Sequence, residues 1–397
     1  MSLIMSGSRN SFLVGISEFM GRLKYISVFG IIFLLLSAPV CRKIAVKHHQ
    51  GVDKIFAWPQ FGLNPQHTNC FPVNLSPPFK LLWDHKASSA IGPSLVAAQN
   101  VVLYGTYEGD IEGVDIYTGE KAGFITVRGT EERTVALYDK NILIIRRIGQ
   151  PTFELYNITN GKSIWKRKGK TVLQEPLIVN GHAYLLDVRG KLLSLSLDDG
   201  RKDWSIDLYA QSHTTPAYSN ELIVVGDDMG NIYAIDNFPQ IIWKYPTSGA
   251  FRAAPVISNN TVYVGSTNSR FYAIRLTDGK EKWSYRLKGK VYHPASVNSN
   301  SVIFGATDHT VYCLDKQTGE EKWTFKAKGV ISTAPVITNN VVFVGSLDHF
   351  IYALDLKSGE SLWYFEASGR VRTHPIIVGD KLVFASENNM LYCFVQE

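Results

Sequence analysis

Residues 345–365 read GSLDHFIYALDLKSGESLWYF, residues 305–325 read GATDHTVYCLDKQTGEEKWTF, and residues 265–285 read GSTNSRFYAIRLTDGKEKWSY. One pattern is written three times at an interval of 40 residues. The tryptophans extend the count. Trp165, Trp204, Trp243, Trp283, Trp323 and Trp363 fall 39 or 40 residues apart, and two backward steps of 41 from Trp165 land on Phe124 and Trp83. That makes eight marks in all. A fixed period of this size is the signature of a solenoid, a propeller or an array.

Within a unit the pattern is that of strands. APVITNNVVFVGS (334–346) holds two short β-branched runs broken by Asn339-Asn340, FIYALDL alternates, KSGE turns, and SLWYFEA is a fourth run. Asn-Asn and Ser-Gly turns suit tight hairpins because these residues tolerate positive φ. No stretch of helical period follows residue 58. Four antiparallel strands every 40 residues describe propeller blades. The last unit, from Pro375 to the end, lacks a Trp strand, whereas the Trp83 strand precedes the first full unit and has none of its own. Pairing the two predicts an all-β, eight-bladed β-propeller of four-stranded antiparallel blades over residues 58–397, closed by an N-terminal strand that completes the last blade. Closure protects edges that an open array would expose.

The net charge of +6 belongs to the amino-terminal region. Seven of the 41 Lys and Arg but only two of the 35 Asp and Glu lie in residues 1–57, which leaves the propeller within one charge of neutral. Such a body gives no argument for nucleic acid as a partner. Residues 20–43, MGRLKYISVFGIIFLLLSAPVCRK, place Arg22 and Lys24 before an apolar run, then small residues and Cys41. This is the layout of an export signal or membrane anchor over residues 1–43, followed by a linker at 44–57. Cys41 is a candidate lipid anchor, and a retained apolar segment is the alternative. The four cysteines make no disulfide framework. Cys313 and Cys393 fill the slot of Ala234, Ala273 and Ala353 in sister units and read as packing residues, and Cys70 has no evident partner.

DLKSGESLWYF, DKQTGEEKWTF and APVITNNVVFVGS resemble the repeat of the pyrroloquinoline-quinone-type propellers across residues 58–397, and AWPQFGLNPQHTN (57–69) resembles the segment preceding the first strand in exported members. In length and layout the chain is most similar to the BamB-like lipoproteins of outer-membrane β-barrel assembly. The resemblance implies a non-catalytic envelope scaffold, in the cell envelope or periplasm and membrane-anchored through its amino terminus, that binds envelope or outer-membrane proteins and needs no cofactor. The alternative it implies is a dehydrogenase, or a sensor of a small polyanion, using pyrroloquinoline quinone with calcium. The dehydrogenases carry a vicinal cysteine pair, which this chain lacks.

No phosphate loop, CxxC pair, HExxH or nucleophile elbow occurs. Asp315 and Asp355 recur in register after the third strand and read as turn residues, and the Trp series reads as packing between blades. The links into each blade's first strand should crowd a channel mouth. They supply His213, Arg252, His293, Arg372 and His374, with Asp228, Asp308, His309, Asp348 and His349 on the neighbouring turns. Five His and Arg side chains there would form an electropositive rim for a carboxylate-rich ligand or an acidic peptide. The unit around residues 124–153 departs from its sisters: Phe replaces Trp at 124, and Arg146 and Arg147 are expected to break the end of its second strand.

Overall fold

The computed structural model describes residues 58–98, 100–126, 133–146, 152–172 and 174–397. The export signal or anchor, the linker, Cys41 and Arg147 lie outside these. The described residues form thirty-two strands in eight four-stranded antiparallel sheets and contain no helix. Blade 1 spans residues 91–126, blade 2 133–167, blade 3 177–207, blade 4 217–246, blade 5 256–286, blade 6 296–326 and blade 7 336–366. Blade 8 takes its three inner strands from residues 376–396 and its outermost from Phe79–Lys86. In that closing pair Phe79 lies opposite Gln396, Trp83 opposite Cys393 and Lys86 opposite Met390. The predicted closure is the observed one.

The repeat letters have separate duties. Trp83, Trp165, Trp243, Trp283 and Trp323 each donate the indole N–H to a carbonyl of the following blade, at 2.6–3.2 Å. Asp315 and Asp355 accept the backbone N–H groups two and three residues on, which holds both carboxyls below the usual range and makes them turn residues as read. Cys313 and Cys393 are buried opposite Trp323 and Trp83, and Cys70, Cys313 and Cys393 are all free thiols. Asn259 and Asn260 have φ of 46° and 57°, as a tight hairpin requires, whereas the Asn339-Asn340 turn does without positive φ. Asn340 instead holds the backbone N–H and carbonyl of Leu75 through its side-chain amide.

The divergent stretch belongs to two blades. Phe124 lies in the outermost strand of blade 1, while Arg146 is the last residue of the second strand of blade 2. That arginine is buried and paired with Glu154, which also faces Lys166 at 3.2 Å.

The segment before the first blade is an element in its own right. From Trp58 to Val73 it winds along one end of the channel and meets the innermost strands in chain order. The N–H groups of Leu137, Tyr218, Ile257, Val297 and Ile337 donate to the carbonyls of Pro59, Pro65, Gln66, Thr68 and Asn69 at 2.7–2.9 Å. Ile178 N–H donates to the Gln60 side chain, and Trp58 bridges Ala97 of blade 1. Innermost strands of a propeller present unpaired amides at the channel, and this strap satisfies one in each of blades 2 to 7.

Candidate functional site

The links between blades and the turns between second and third strands share the end of the channel opposite the strap. A repeated backbone hydrogen bond fastens six of these turns to the links beside them. Tyr107 N–H donates to Ala90 O, Asp228 to Gln211, Thr267 to Ala250, Thr307 to Lys290, Leu347 to Val330 and Glu387 to Arg370, at 2.8–3.0 Å. The mouth is therefore a platform of tied loops.

On this platform the structure separates the five predicted residues into two groups. His213 and Arg252 meet at one aspartate: Asp228 Oδ2 lies 2.9 Å from His213 Nδ1, without hydrogen-bond alignment, and accepts from Arg252 Nη2 at 3.3 Å. Arg372 lies three blades further on and pairs through Nε with Glu387, whose other oxygen is 3.9 Å from Arg370. His293 and His374 stand edge to face in the channel with ring centroids 5.5 Å apart. Burial lowers His293 from the usual 6.5 to about 4, helped by the charge of Arg372, and lowers His374 to about 3, helped by His293. His374 Nδ1 accepts the Ala334 N–H at 2.7 Å, which fixes its neutral form. The expected electropositive rim is thus two arginines facing carboxylates above a pair of uncharged imidazoles.

The turn residues are mostly structural. Asp308 and Asp348 accept the hydroxyls of Tyr312 and Tyr352 at 2.6 and 2.8 Å, and His309 and His349 supply positive φ. In blade 4 Asp227 takes the hydroxyl of Tyr233 at 2.8 Å, and Met229, at the place of those aspartates, is released to solvent at 73% exposure. On the link bonded to the same turn Tyr209 is 91% exposed. Sequence reasoning passed over both. Aligning the turns would have exposed Met229 as the substitution of an apolar residue for a hydroxyl acceptor.

Glu175 was also passed over. It occupies the place directly before a strand-opening proline that His293 and His374 occupy in blades 6 and 8. Its buried carboxylate accepts the hydroxyls of Ser94 in blade 1 and Thr215 at 3.0 Å in the link to blade 4. It spans the channel as a cross-brace. Among the described residues no group of three or more His, Cys, Asp or Glu is arranged to hold a metal ion.

A cavity of about 560 Å³ opens at the mouth among blades 7, 8 and 1, with His293, Arg372 and Glu387 in its wall.

Eight four-stranded blades, a strand borrowed from the amino-terminal side and a loop platform over a strapped channel define a closed repeat propeller of the pyrroloquinoline-quinone type. The family model described as outer membrane protein assembly factor BamB matches residues 80–237, 207–303 and 286–395, and the chain belongs to that family. The BamB protein of Nitrosomonas eutropha is 25% identical over 157 residues, 40% of this chain and 37% of that protein. That of Legionella pneumophila is 26% identical over 200 residues, 47% of this chain and 52% of that protein. The matches thus span about two fifths to one half of these relatives. The crystal structure of BamB from Moraxella catarrhalis superposes with a TM-score of 0.69 at 16% identity, covering 80% of this chain and all of that one. A quinohemoprotein alcohol dehydrogenase from Comamonas testosteroni superposes at 0.74 with 12% identity, over 87% and 81%. At such identities both report the fold alone.

Proposed function

We propose that this protein is a non-catalytic scaffold of the cell envelope that docks protein partners in outer-membrane β-barrel assembly, retained at the membrane through Cys41 or the apolar segment before it. The observation that carries the reading is the pair Tyr209 and Met229. Two large side chains stand in solvent on tied loops, beside the Asp228–Arg252–His213 cluster. An apolar centre with a charged border is the anatomy of a protein interface, and rigid loops lose little freedom on binding. The names of the relatives supply the process. The quinone-enzyme alternative finds less support, because the cavity wall holds a single carboxylate, Glu387, already engaged by two arginines. That donor set does not suit a calcium-bound tricarboxylate.

A photo-crosslinking residue at Tyr209, compared with one at Phe238, tests the docking face. Phe238 is 79% exposed on the opposite face of the same blade, between third and fourth strands. Crosslinks to a barrel-assembly protein are expected from position 209 and not from 238. Equal crosslinking from both, or crosslinking from 238 alone, would overturn the assignment. Stoichiometric uptake of pyrroloquinoline quinone with calcium, followed by dye-linked alcohol oxidation, would replace the scaffold reading with an enzyme.

A further inference from the structure

The mouth cavity has walls of a kind that partner docking at Tyr209 does not use. Ile91 and Pro93 form one side and Val330 and Leu347 the other, all half-buried. Most of its polar wall is already satisfied. Ser332 Oγ donates to Val371 O, Thr373 Oγ1 to Gly92 O at 3.4 Å, and Ser386 Oγ is paired with Ser368 Oγ at 3.3 Å. Two groups remain open. Neither ring nitrogen of His293 makes a hydrogen bond among the described residues; its ring is held by the edge contact with His374. Arg372 faces Glu387 through Nε, and its terminal nitrogens make no hydrogen bond among the described residues. The two lie close enough for the guanidinium's charge to act on the imidazole.

The local charge sets the class of ligand. Arg370 and Arg372 share the single carboxylate of Glu387, so these three side chains together carry one positive charge. A trianion would bring more charge than the wall can answer, and an uncharged ligand would leave the fork unused. A planar carboxylate matches two parallel guanidinium N–H donors. A volume of about 560 Å³ falls in the range of small-molecule sites, which pair apolar walls with a few convergent polar groups.

We propose that this cavity binds a small monocarboxylate with an apolar or aromatic body, its carboxylate between the Arg372 fork and the His293 ring and its body against Ile91, Pro93, Val330 and Leu347. The site is independent of the protein-docking face at blades 3 and 4, so either can fail without the other.

The test titrates the full chain with phenylbutyrate, with phenylbutanol as the same body without charge, and with acetate as the charge without a body. Calorimetry and the imidazole resonances of His293 are the readouts. Phenylbutyrate is expected to bind at least about tenfold more tightly than either control, and to raise the pH at which the His293 ring titrates, because a carboxylate beside an imidazole favours its protonated form. Arg372→Gln should weaken phenylbutyrate by about tenfold or more while leaving phenylbutanol unchanged. Leu347→Trp should weaken both by filling the cavity. Melting temperatures of the two variants serve as the folding control, since both side chains lie on loops. Equal affinity for acid and alcohol, an unshifted His293 titration, an Arg372→Gln variant that binds normally, or saturable binding of pyrroloquinoline quinone in preference to phenylbutyrate would each overturn the proposal.

Discussion

The glycine in five of the KSGE-like turns, Gly119, Gly200, Gly279, Gly319 and Gly359, is set by a tryptophan one blade earlier. Gly359 has φ of 75°, and a Cβ there would lie 2.5 Å from the Trp323 ring, whose indole N–H reaches Leu356 O three residues away. Backbone conformation and close approach therefore demand the same residue twice over. Gly181 separates the two demands: its φ is 78°, but the nearest atom to an added Cβ is the Tyr138 hydroxyl at 3.7 Å. Gly181→Ala is expected to cost about 1 kcal/mol for the left-handed backbone, and Gly359→Ala a further ~1–3 kcal/mol for overpacking. Urea unfolding of the two variants measures the difference, and equal losses would mean that the indole moves aside. The same logic accounts for the exceptions. Trp204 is only half-buried because the turn facing it is Asn237-Phe238-Pro239, with no glycine. Trp363 faces no such turn, since blade 8 takes its outermost strand from Phe79–Lys86, and packs against Phe79 and Phe394 at 5.3 and 5.2 Å. The tryptophan spacing was legible at once. The partner of each tryptophan was not, because it lies one period away.

Two elements show what repetition conceals. The first is the outermost strand. Basic side chains can guard an edge strand against pairing, yet here Arg167 donates to the Asp199 and Gly200 carbonyls of the next blade and Lys244 lies over Tyr233. The common protection is a register shift in every one of the eight outer pairings, which kinks the edge against an added strand. The second element is the strap. Its role was illegible because it is bound through backbone and has no periodicity of its own. Asn69 sits at φ 47° and donates its amide to the carbonyls of His67 and Ala295, both at 3.2 Å, so Asn69→Ala is expected to cost about 2–3 kcal/mol in unfolding free energy. The strap also carries His67, buried against Phe61, which burial lowers from 6.5 to about 4 despite the hydrogen bond to Pro255 O. With His293 and His374 this makes three histidines kept neutral. The unfolded chain takes up their protons as the pH falls through about 6.5, and the folded one refuses them until about 4 or below, so their contribution is complete above the unfolded value and is lost between the two. The melting temperature should fall between about pH 7 and about pH 5, and His67→Phe should make that fall shallower. A pH-independent melting temperature over that interval would show that these rings titrate in the folded protein as they do in the unfolded chain.

At the scale of the whole molecule the ring count was the most legible property and the electrostatics of the mouth the least. The count follows from spacing alone. The charge depends on which side chains distant stretches bury together: His374 is flanked by Phe61, some 300 residues earlier, and no local pattern announces it. Closure has the same long reach but leaves a trace, an orphan Trp strand at one end and a blade lacking one at the other. The strand Phe79–Lys86 pairs along its length with Met390–Gln396, and the core beneath it joins residues of blades 1, 7 and 8 into one cluster. Ending the chain at Asn389 would remove the third strand of blade 8, strip the closing strand of its partner and uncover the second strand, Lys381–Ser386, as a new edge. Because neighbouring blades bury each other's faces, the loss spreads round the ring instead of staying in one blade. Such a truncation should lower the melting temperature by at least about 10 °C and promote association through the exposed edge, read by light scattering. The control is Trp83→Phe, which keeps the ladder but deletes the hydrogen bond to Ile116 O and should cost only about 1 kcal/mol. If the truncated chain melts with the parent, the eighth blade is dispensable and the ring is held by the strap, whose backbone bonds to blades 1, 2 and 4 to 7 would then be the closure that matters.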